Sequence, residues 1–443
     1  MKQDTNSSFW GLSPILIFVL MVLLSGVIGQ DFKLMPILVA FMLAAAYALA
    51  INPGNKRLSL HEKVDIFCHG AGDKTIILLV FIFLMAGALY ALTIDIGARD
   101  ATVNWALDII PAQFLLPGLF VVCCGISFAM GTSMGTITAL APIGIGLAES
   151  LGIPPALALG VVIGGGMFGD NLSFISDTTI AATRTQGVKL KDKFKANLII
   201  ALPAALITIA ALFFIEVKVE TAMTGQNYNP WLMLPYLVII VTALLGINVV
   251  VVLGFGILTA AIIGLSNGTF SGWEALQSIQ KGIGWMQNLA IIALTIGGIV
   301  SLMKAYGGLT WLMNVICARI KTKKEAEFGI ASLACLLDLS IANNTISIVT
   351  AGPIAKDLSH TYQIDPRRTA SLLDIFSCGC QGLVPYGSQM LTVSALAGLS
   401  PLAITPYTWY PMLLLVFASL AIIFGLPHFK QSAQDEFASK KVE

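Results

Sequence analysis

The chain is dominated by apolar runs long enough to cross a bilayer, and these runs recur along all 443 residues. Hydrophobic residues make up 57% of the chain and charged residues 11%, whereas soluble domains carry about 25% charged residues. This composition excludes a soluble enzyme, a secreted disulfide scaffold, a disordered chain and a nucleic-acid binder. The runs are too long and too uniformly apolar for barrel strands. We therefore predict an all-α polytopic membrane protein surrounded by lipid.

Polar, Pro and Gly breaks divide each half of the chain into seven apolar segments. The segments of the first half are Leu12–Ile28, Leu34–Ile51, Thr75–Ile94, Ala112–Met130, Thr136–Ser150, Ala156–Thr183 and Ala196–Ile215. Those of the second half are Trp231–Ile247, Val249–Leu265, Leu289–Ala305, Ala326–Ala342, Thr345–Leu358, Thr369–Gly398 and Trp409–Leu426.

The two halves share short motifs in the same order. Thr136–Thr138 matches Thr345–Ser347, and Ile153–Pro155 matches Ile364–Pro366 at nearly the same spacing. Such ordered self-similarity is typical of an internal repeat. We predict a first transmembrane repeat over residues 1–220 and a second over residues 221–443.

The distribution of Lys and Arg predicts the topology, because cytoplasmic loops carry the excess of positive charge. Alternating loops, counted from a cytoplasmic N-terminus, leave few positive residues outside: Lys33, Arg99, Lys218 and Lys281. Every other Lys and Arg, Lys193 among them, falls in loops on the inside, and both termini are cytoplasmic. Residues 112–150 and 326–358 each form two full spans or one re-entrant hairpin. Either choice gives each half an odd number of crossings, so the second repeat is inverted relative to the first.

Four carboxylates lie inside predicted spans and away from the span ends, namely Asp170, Asp177, Asp338 and Asp374. No Lys or Arg is expected at that depth. Ionisable groups in the hydrocarbon region are costly and therefore indicate function. Acids without an internal base predict a cavity that attracts cations or protons.

The densest polar string in any span is Gly169–Thr179, and Gly164–Gly166 precede it. Small and hydroxyl residues compete with the helical backbone, so we predict a broken helix lining a cavity. The alternative is a loop just outside the membrane. The oxygen ligands of this segment, which are hard and suit Na⁺, belong to Asp170, Asn171, Ser173, Ser176, Asp177, Thr178 and Thr179. We assign Na⁺ to Asp177, Ser176 and Thr178, with Asp177 slightly favoured over Asp170 as the shared ligand for Na⁺ and H⁺.

Two short polar tips separate apolar arms at matched positions, and each could present oxygens to a central site or form a plain surface turn. The first tip, Gly131–Thr136, contributes Ser133 and Thr136. The second tip contributes Asn343, Asn344 and Thr345.

A second interrupted segment, Cys380–Gln389, matches the first but contains no acid. Gln381 stands where the first half has Asp170, and Ser388, followed by Gln389, stands where it has Asp177. The repeat is therefore asymmetric in charge. Asp338 and Asp374 are either coupling carboxylates or hydrogen-bonding groups that hold the helix breaks.

Phe168-Gly169-Asp170 and Ser176-Asp177-Thr178-Thr179 resemble the signature of the NhaC family of Na⁺/H⁺ antiporters, with Ser173 also matching. Asn171 stands where that family usually has a basic residue, and Phe174 where it usually has Pro. The resemblance implies a secondary antiporter in a bacterial cytoplasmic membrane that exchanges Na⁺ for H⁺. It also allows the alternative of a Na⁺- or H⁺-coupled carrier of a small organic acid or amino acid.

Other classes of function fit the sequence less well. A passive channel does not explain inverted halves with interrupted helices, and an intramembrane aspartyl protease would need a GxGD string that Gly166–Asp170 lacks. No nucleotide-binding motif is visible. We expect no enzymatic activity and no cofactor besides Na⁺ and H⁺ as transported or coupling ions. The sequence is compatible with a homodimer.

Overall fold

A computed structural model of the protein describes residues 7–28, 35–53, 57–216, 229–427 and 429, and every regular element in this part of the chain is a helix. The helices of the first half are α1 (Ser13–Ile28), α2 (Ile37–Ala50), α3 (Leu60–Ala71), α4 (Lys74–Asp95), α5 (Ala98–Ile109), α6 (Ala112–Met130), α7 (Ser133–Ser150), α8 (Pro155–Leu172), α9 (Asp177–Gln186) and α10 (Leu190–Phe213). The predicted all-α class is confirmed.

The second half follows a similar order. Its helices are α11 (Leu234–Leu244), α12 (Val249–Ser266), α13 (Gly272–Ala305), α14 (Gly308–Cys317), α15 (Lys323–Ile341), α16 (Asn344–Thr361), α17 (Pro366–Gln381), α18 (Ser388–Ala397), α19 (Pro401–Ile404) and α20 (Trp409–Phe424). The chain termini and the predicted repeat boundary at residues 220–221 lie outside the described residues.

Six helices among the described residues are long and apolar enough to cross a membrane, and a bent pair, Ser388–Ala397 with Pro401–Tyr407, makes a seventh if counted as one span. Five further apolar helices are shorter than a full span, among them α2 and α20. All fourteen predicted apolar segments form helices. The number that crosses the bilayer stays a prediction, because a shorter helix reaches across only where the bilayer thins or a neighbouring segment completes the span.

Two predicted helix starts are wrong. The segment predicted from Leu289 begins at Gly272, where Ser271 and Glu274 form a reciprocal cap. The segment predicted from Ala196 begins at Leu190. The extra turn and a half places Lys193 inside α10 instead of in a cytoplasmic loop. The amphipathic helices α5 and α14 were not predicted at all.

The two polar tips have the same backbone construction. α6 ends on Gly131 and α15 ends on Ala342, both in the left-handed conformation, with φ of 67° and 53°. The next residue then caps the returning helix: Thr132 accepts from Gly135 N, and Asn343 accepts from Ile346 N. Each tip is therefore a tight reversal that points the N-terminus of α7 or α16 into the protein.

Helix α8 lies at the centre of the packing, with nearly every side chain buried. Its glycines allow this close approach. A β-carbon on Gly169 would lie 2.4 Å from the Cys124 carbonyl oxygen of α6, and one on Gly165 would lie 2.5 Å from Cys123 Cβ. The small residues thus bring the first tip hairpin, α6 and α7, directly against the segment that carries Asp170.

Candidate functional site

The first helix interruption falls inside the segment predicted to be broken, Gly169–Thr179. α8 ends at Leu172 and α9 begins at Asp177, leaving Ser173–Ser176 outside both helices. Ser173 Oγ accepts a hydrogen bond from Ile175 N at 3.3 Å, which stabilises the turn locally. The C-terminus of one half-helix and the N-terminus of the next therefore lie beside the same buried polar groups.

Asp170 is the buried carboxylate of this break. Its side chain is 3% exposed. Ser133 Oγ donates to Oδ2 at 2.8 Å, and Ser176 Oγ lies 2.5 Å from Oδ1. Thr178 Oγ1 is 2.8 Å from Ser176 Oγ. A carboxylate and three hydroxyls thus come together from the first tip and from both sides of the break.

Asp177 occupies a different environment, because its side chain is exposed. Thr345 Oγ1 of the second tip donates to Asp177 Oδ2 at 2.7 Å. Oδ1 accepts from Thr178 N at 3.0 Å, at the N-terminus of α9. Of the residues predicted to share Na⁺, Ser176 contacts both Asp170 and Thr178, while the Asp177 side chain is engaged by the opposite half of the chain.

The main residue missed by sequence reasoning is Lys193, which is 1% exposed. Its Nζ lies 2.5 Å from Asp374 Oδ2 of α17. The expectation of no internal base is therefore wrong. Lys193 also donates to Asn171 O at 2.5 Å and to Thr179 Oγ1 at 2.6 Å.

Asparagine side chains complete the environment of Asp374, which is fully buried. Asn171 Nδ2 and Asn197 Nδ2 donate to Asp374 Oδ2 at 2.9 and 2.8 Å. Lys193 and Asn197 are four residues apart in sequence, a spacing that places them on one face of α10. That polar pair was the available signal, but it is recognisable only if the helix is extended backward past Ala196.

The second interruption, between Gln381 and Ser388, meets the first tip. Gln389 Nε2 donates to Ser133 Oγ at 3.3 Å, and Ser388 Oγ donates to Gln389 Oε1 at 3.0 Å. The Gln381 amide lies between two groups: one terminal atom is 2.8 Å from Gln389 Oε1, and the other is 3.0 Å from Asp338 Oδ1. Asp338 is fully buried. A polar chain therefore runs from Asp170 through Ser133, Gln389 and Gln381 to Asp338.

Other predicted residues mainly satisfy the backbone. Thr136 Oγ1 donates to Thr132 O at 3.1 Å, Asn343 caps α16, and Asn344 Oδ1 accepts from Thr345 N at 3.0 Å. These three side chains hold the tips in shape and make no hydrogen bond to the four carboxylates among the described residues. The same part of the chain contains no group of three or more His, Cys, Asp or Glu side chains suited to a metal ion.

Sequence comparisons relate most of the chain to antiporters. The model of the Na⁺/H⁺ antiporter family matches residues 7–217 and 222–427. The malate-2H⁺/Na⁺-lactate antiporter of Bacillus subtilis is 26% identical over 383 residues, which is 78% of this chain and 80% of that protein. The Na⁺/H⁺ antiporter NhaC of the same organism is 25% identical over 392 residues, 80% of this chain and 84% of that protein.

An arginine/ornithine antiporter, ArcD of Halobacterium salinarum, is 22% identical over 393 residues, 80% of each chain. These relatives are transporters, and the multi-pass membrane character predicted for this protein agrees with them. The family model covers nearly all of both halves, which confirms the resemblance read from residues 168–179. The chain belongs to the Na⁺/H⁺ antiporter family.

Proposed function

We propose that the protein is a secondary antiporter that exchanges Na⁺ for H⁺ across the cytoplasmic membrane by alternating access. The observation that carries this proposal is the buried Asp170 carboxylate with the Ser133 and Ser176 hydroxyls at 2.8 and 2.5 Å. Carboxylate and hydroxyl oxygens are hard ligands that suit a small cation. They also lie beside the first helix break, which leaves the backbone of Ser173–Ser176 outside both half-helices.

Asp170 can hold a proton or Na⁺ but not both, which is the minimal requirement for exchange. Serine hydroxyls serve either state, because each has one donor hydrogen and two acceptor lone pairs. Ser133 and Ser176 donate to the free carboxylate, and they can turn their lone pairs toward a bound cation. Burial excludes water, so leaving the carboxylate charged and unpaired is costly. Each release of Na⁺ is therefore followed by capture of a proton, or of another Na⁺.

This geometry favours Asp170 over Asp177 as the shared ligand, the reverse of the order suggested by sequence. Asp177 is exposed and accepts a hydrogen bond from Thr345. We therefore assign Asp177 to the cation's path from solution, where it attracts the cation before the cation reaches Asp170. Asp338 acts on Asp170 through Gln381, and Asp374 acts on it through Asn171; both modulate how Asp170 holds the cation or the proton.

We further propose that residues 1–220 and 221–443 are inverted repeats and that 112–150 and 326–358 are re-entrant hairpins. The family model matches each half separately. The first tip contacts the second break through Ser133 and Gln389, and the second tip contacts the first broken span through Thr345 and Asp177. These reciprocal contacts support two equivalent hairpins that move together with the Asp170 site. In this arrangement both termini are cytoplasmic.

Reconstitution into liposomes tests the proposal. Purified protein would be sealed in vesicles with an internal pH dye, and a Na⁺ gradient would be imposed. Outward Na⁺ should drive inward H⁺, and reversing the gradient should reverse the dye signal. Matched vesicles containing Asp170→Asn protein serve as the control. A Na⁺ gradient that moves no protons in wild-type vesicles would refute sodium–proton exchange.

A second candidate function is Na⁺- or H⁺-coupled exchange of a small organic acid or amino acid. The specific observation in its favour is Lys193, a buried cation that could bind a carboxylate if its pairing with Asp374 opened. Antiporters of malate with lactate and of arginine with ornithine among the relatives point the same way. Uptake of labelled malate, lactate and arginine into the same vesicles separates the two functions, since only the second requires an organic counter-substrate.

A further inference from the structure

The ammonium group of Lys193 is surrounded by oxygen atoms as a bound monovalent cation would be. Its three contacts are the Asp374 carboxylate at 2.5 Å, the Asn171 carbonyl at 2.5 Å and the Thr179 hydroxyl at 2.6 Å. All three of these residues are nearly or fully buried. A carboxylate, a carbonyl released at a helix end and a hydroxyl are also the ligand types that bind Na⁺.

The three residues that contact Lys193 Nζ, namely Asp374, Asn171 and Thr179, form an oxygen cage, and this cage has unused coordinating capacity. Asp374 Oδ1 and Asn197 Oδ1 are buried and have no donor in normal hydrogen-bonding geometry among the described residues, although the Thr178 hydroxyl interacts with the Asp374 carboxylate. Buried oxygens of this kind normally have partners. Asp374 Oδ2, by contrast, receives Lys193, Asn171 and Asn197 together. The environment therefore offers more acceptor oxygens than the single ammonium group occupies.

The cage around Lys193 is built on a different carboxylate from the Asp170 cluster (Asp170, Ser133, Ser176 and Thr178), and the two meet at Thr178, whose hydroxyl contacts Ser176 Oγ and interacts with Asp374. Asp170 is held by Ser133 and Ser176, whereas the Lys193 cage is built from α10, α17 and the two residues Asn171 and Thr179 that flank the break. One broken span thus contributes ligands to two neighbouring cation environments, and in one of them the cation is part of the chain.

We propose that Asp374, Asn171 and Thr179 form a second monovalent-cation site that Lys193 fills from within the protein. While Lys193 is in place, Asp374 is neutralised internally and takes no Na⁺ from solution. Removing the side chain opens the cage to a free monovalent cation, either Na⁺ or a primary ammonium ion. Lys193 therefore fixes how many cations each chain binds, and this role does not depend on Asp170 being the transported-ion site.

Equilibrium binding of ²²Na⁺ to purified full-length protein tests the inference. Lys193→Ala should bind one more Na⁺ per chain at saturation than the wild type, and Lys193→Ala/Asp374→Asn should lose that extra ion. Lys195→Ala is the matched control, because Lys195 lies on the same helix but is exposed; it should bind as the wild type does. Equal Na⁺ counts for folded Lys193→Ala and wild-type protein would overturn the proposal.

A second measurement covers the case in which Lys193→Ala is too unstable to purify in the absence of added cations. The truncation removes the equivalent of n-propylammonium, so this ion should restore a monodisperse protein and raise its melting temperature, whereas tetramethylammonium, which has no N–H donor, should not. The wild type and Lys195→Ala should show no such selective shift. If Lys193→Ala stays unfolded in both Na⁺ and n-propylammonium while the double variant folds, the cage does not accept a free cation and the proposal fails.

The Asp170→Asn background separates this inference from the proposed function. If Asp170 is the exchange site, Asp170→Asn alone removes Na⁺ binding, and adding Lys193→Ala restores a single site. If Asp170 is not the exchange site, the Na⁺ count is unchanged by Asp170→Asn, yet Lys193→Ala still adds one ion.

Discussion

Lys193 Nζ and Asp374 Oδ2 lie 2.5 Å apart, and both side chains are almost completely buried. The pair joins α10 of the first half to α17 of the second, beside the break that carries Asp170. A buried ion pair contributes little net stability compared with an apolar pair, because both charges lose their hydration. Removing one partner is costly, however, because it leaves the other charge buried and unpaired. The pair therefore fixes the relative position of the two helices.

Asp170→Asn is expected to abolish Na⁺-driven proton movement in proteoliposomes while the protein remains folded. The amide keeps the size and hydrogen-bonding ability of the side chain but cannot exchange a proton for a cation. Asp177→Asn should retain exchange with a weaker apparent Na⁺ affinity, because an exposed charge contributes only modest attraction. Asp338→Asn and Asp374→Asn should change the rate or ion dependence without eliminating exchange. Full activity of Asp170→Asn would exclude Asp170 as the shared ligand.

Lys193→Met should destabilise the protein by about 3–5 kcal/mol, because it leaves the Asp374 carboxylate buried without its countercharge. Thermal unfolding in detergent would measure this as a lowered melting temperature. Lys195→Met controls for loss of a positive charge from the same helix, and Lys193→Met/Asp374→Leu should recover most of the loss by removing both charges. An unchanged melting temperature for Lys193→Met would contradict the buried pairing.

Gly169→Ala should lower both stability and transport. The new methyl group would lie 2.4 Å from the Cys124 carbonyl oxygen and 2.5 Å from Phe128 N, so α6 must move away from α8 beside Asp170. Overpacking of this kind costs about 1–3 kcal/mol. Gly125→Ala is the matched control, because a β-carbon there meets nothing within 4 Å. Comparable melting temperatures and fluxes for the two variants would show that the contact is not restrictive.

Crosslinking α1 to the second interruption, between Gln381 and Ser388, should stop transport reversibly. The Phe18 and Tyr386 rings lie 5.3 Å apart between centroids, so cysteines at both positions, in a background without native cysteines, could be joined by a short cleavable reagent. If the breaks and tips move against α1 and α2, flux should fall on crosslinking and return on reduction. The two single-cysteine proteins control for the substitutions. Undiminished flux in fully crosslinked protein would argue for a fixed pathway.

Local sequence chemistry was sufficient to predict where the helices break. Gly, Ser, Thr and Asn lower helix propensity and offer alternative partners to the backbone, and the interruptions occur at Ser173–Ser176 and just after Gln381 as this predicts. The polar tips at Gly131 and Asn343 were found for the same reason. Uniform hydrophobicity over span-length segments predicted the all-helical class, because lipid leaves the backbone few other ways to satisfy its hydrogen bonds.

The sequence alone could not assign the partners of the polar groups, because these contacts join residues far apart in the chain. Asn197 reaches Asp374 across 177 positions, and Gln389 reaches Ser133 across 256. Lys193 appeared to belong to a cytoplasmic loop because an isolated Lys at membrane depth is costly. Only the tertiary structure supplies the Asp374 carboxylate that offsets this cost, extends α10 back to Leu190 and separates the buried Asp170 from the exposed Asp177.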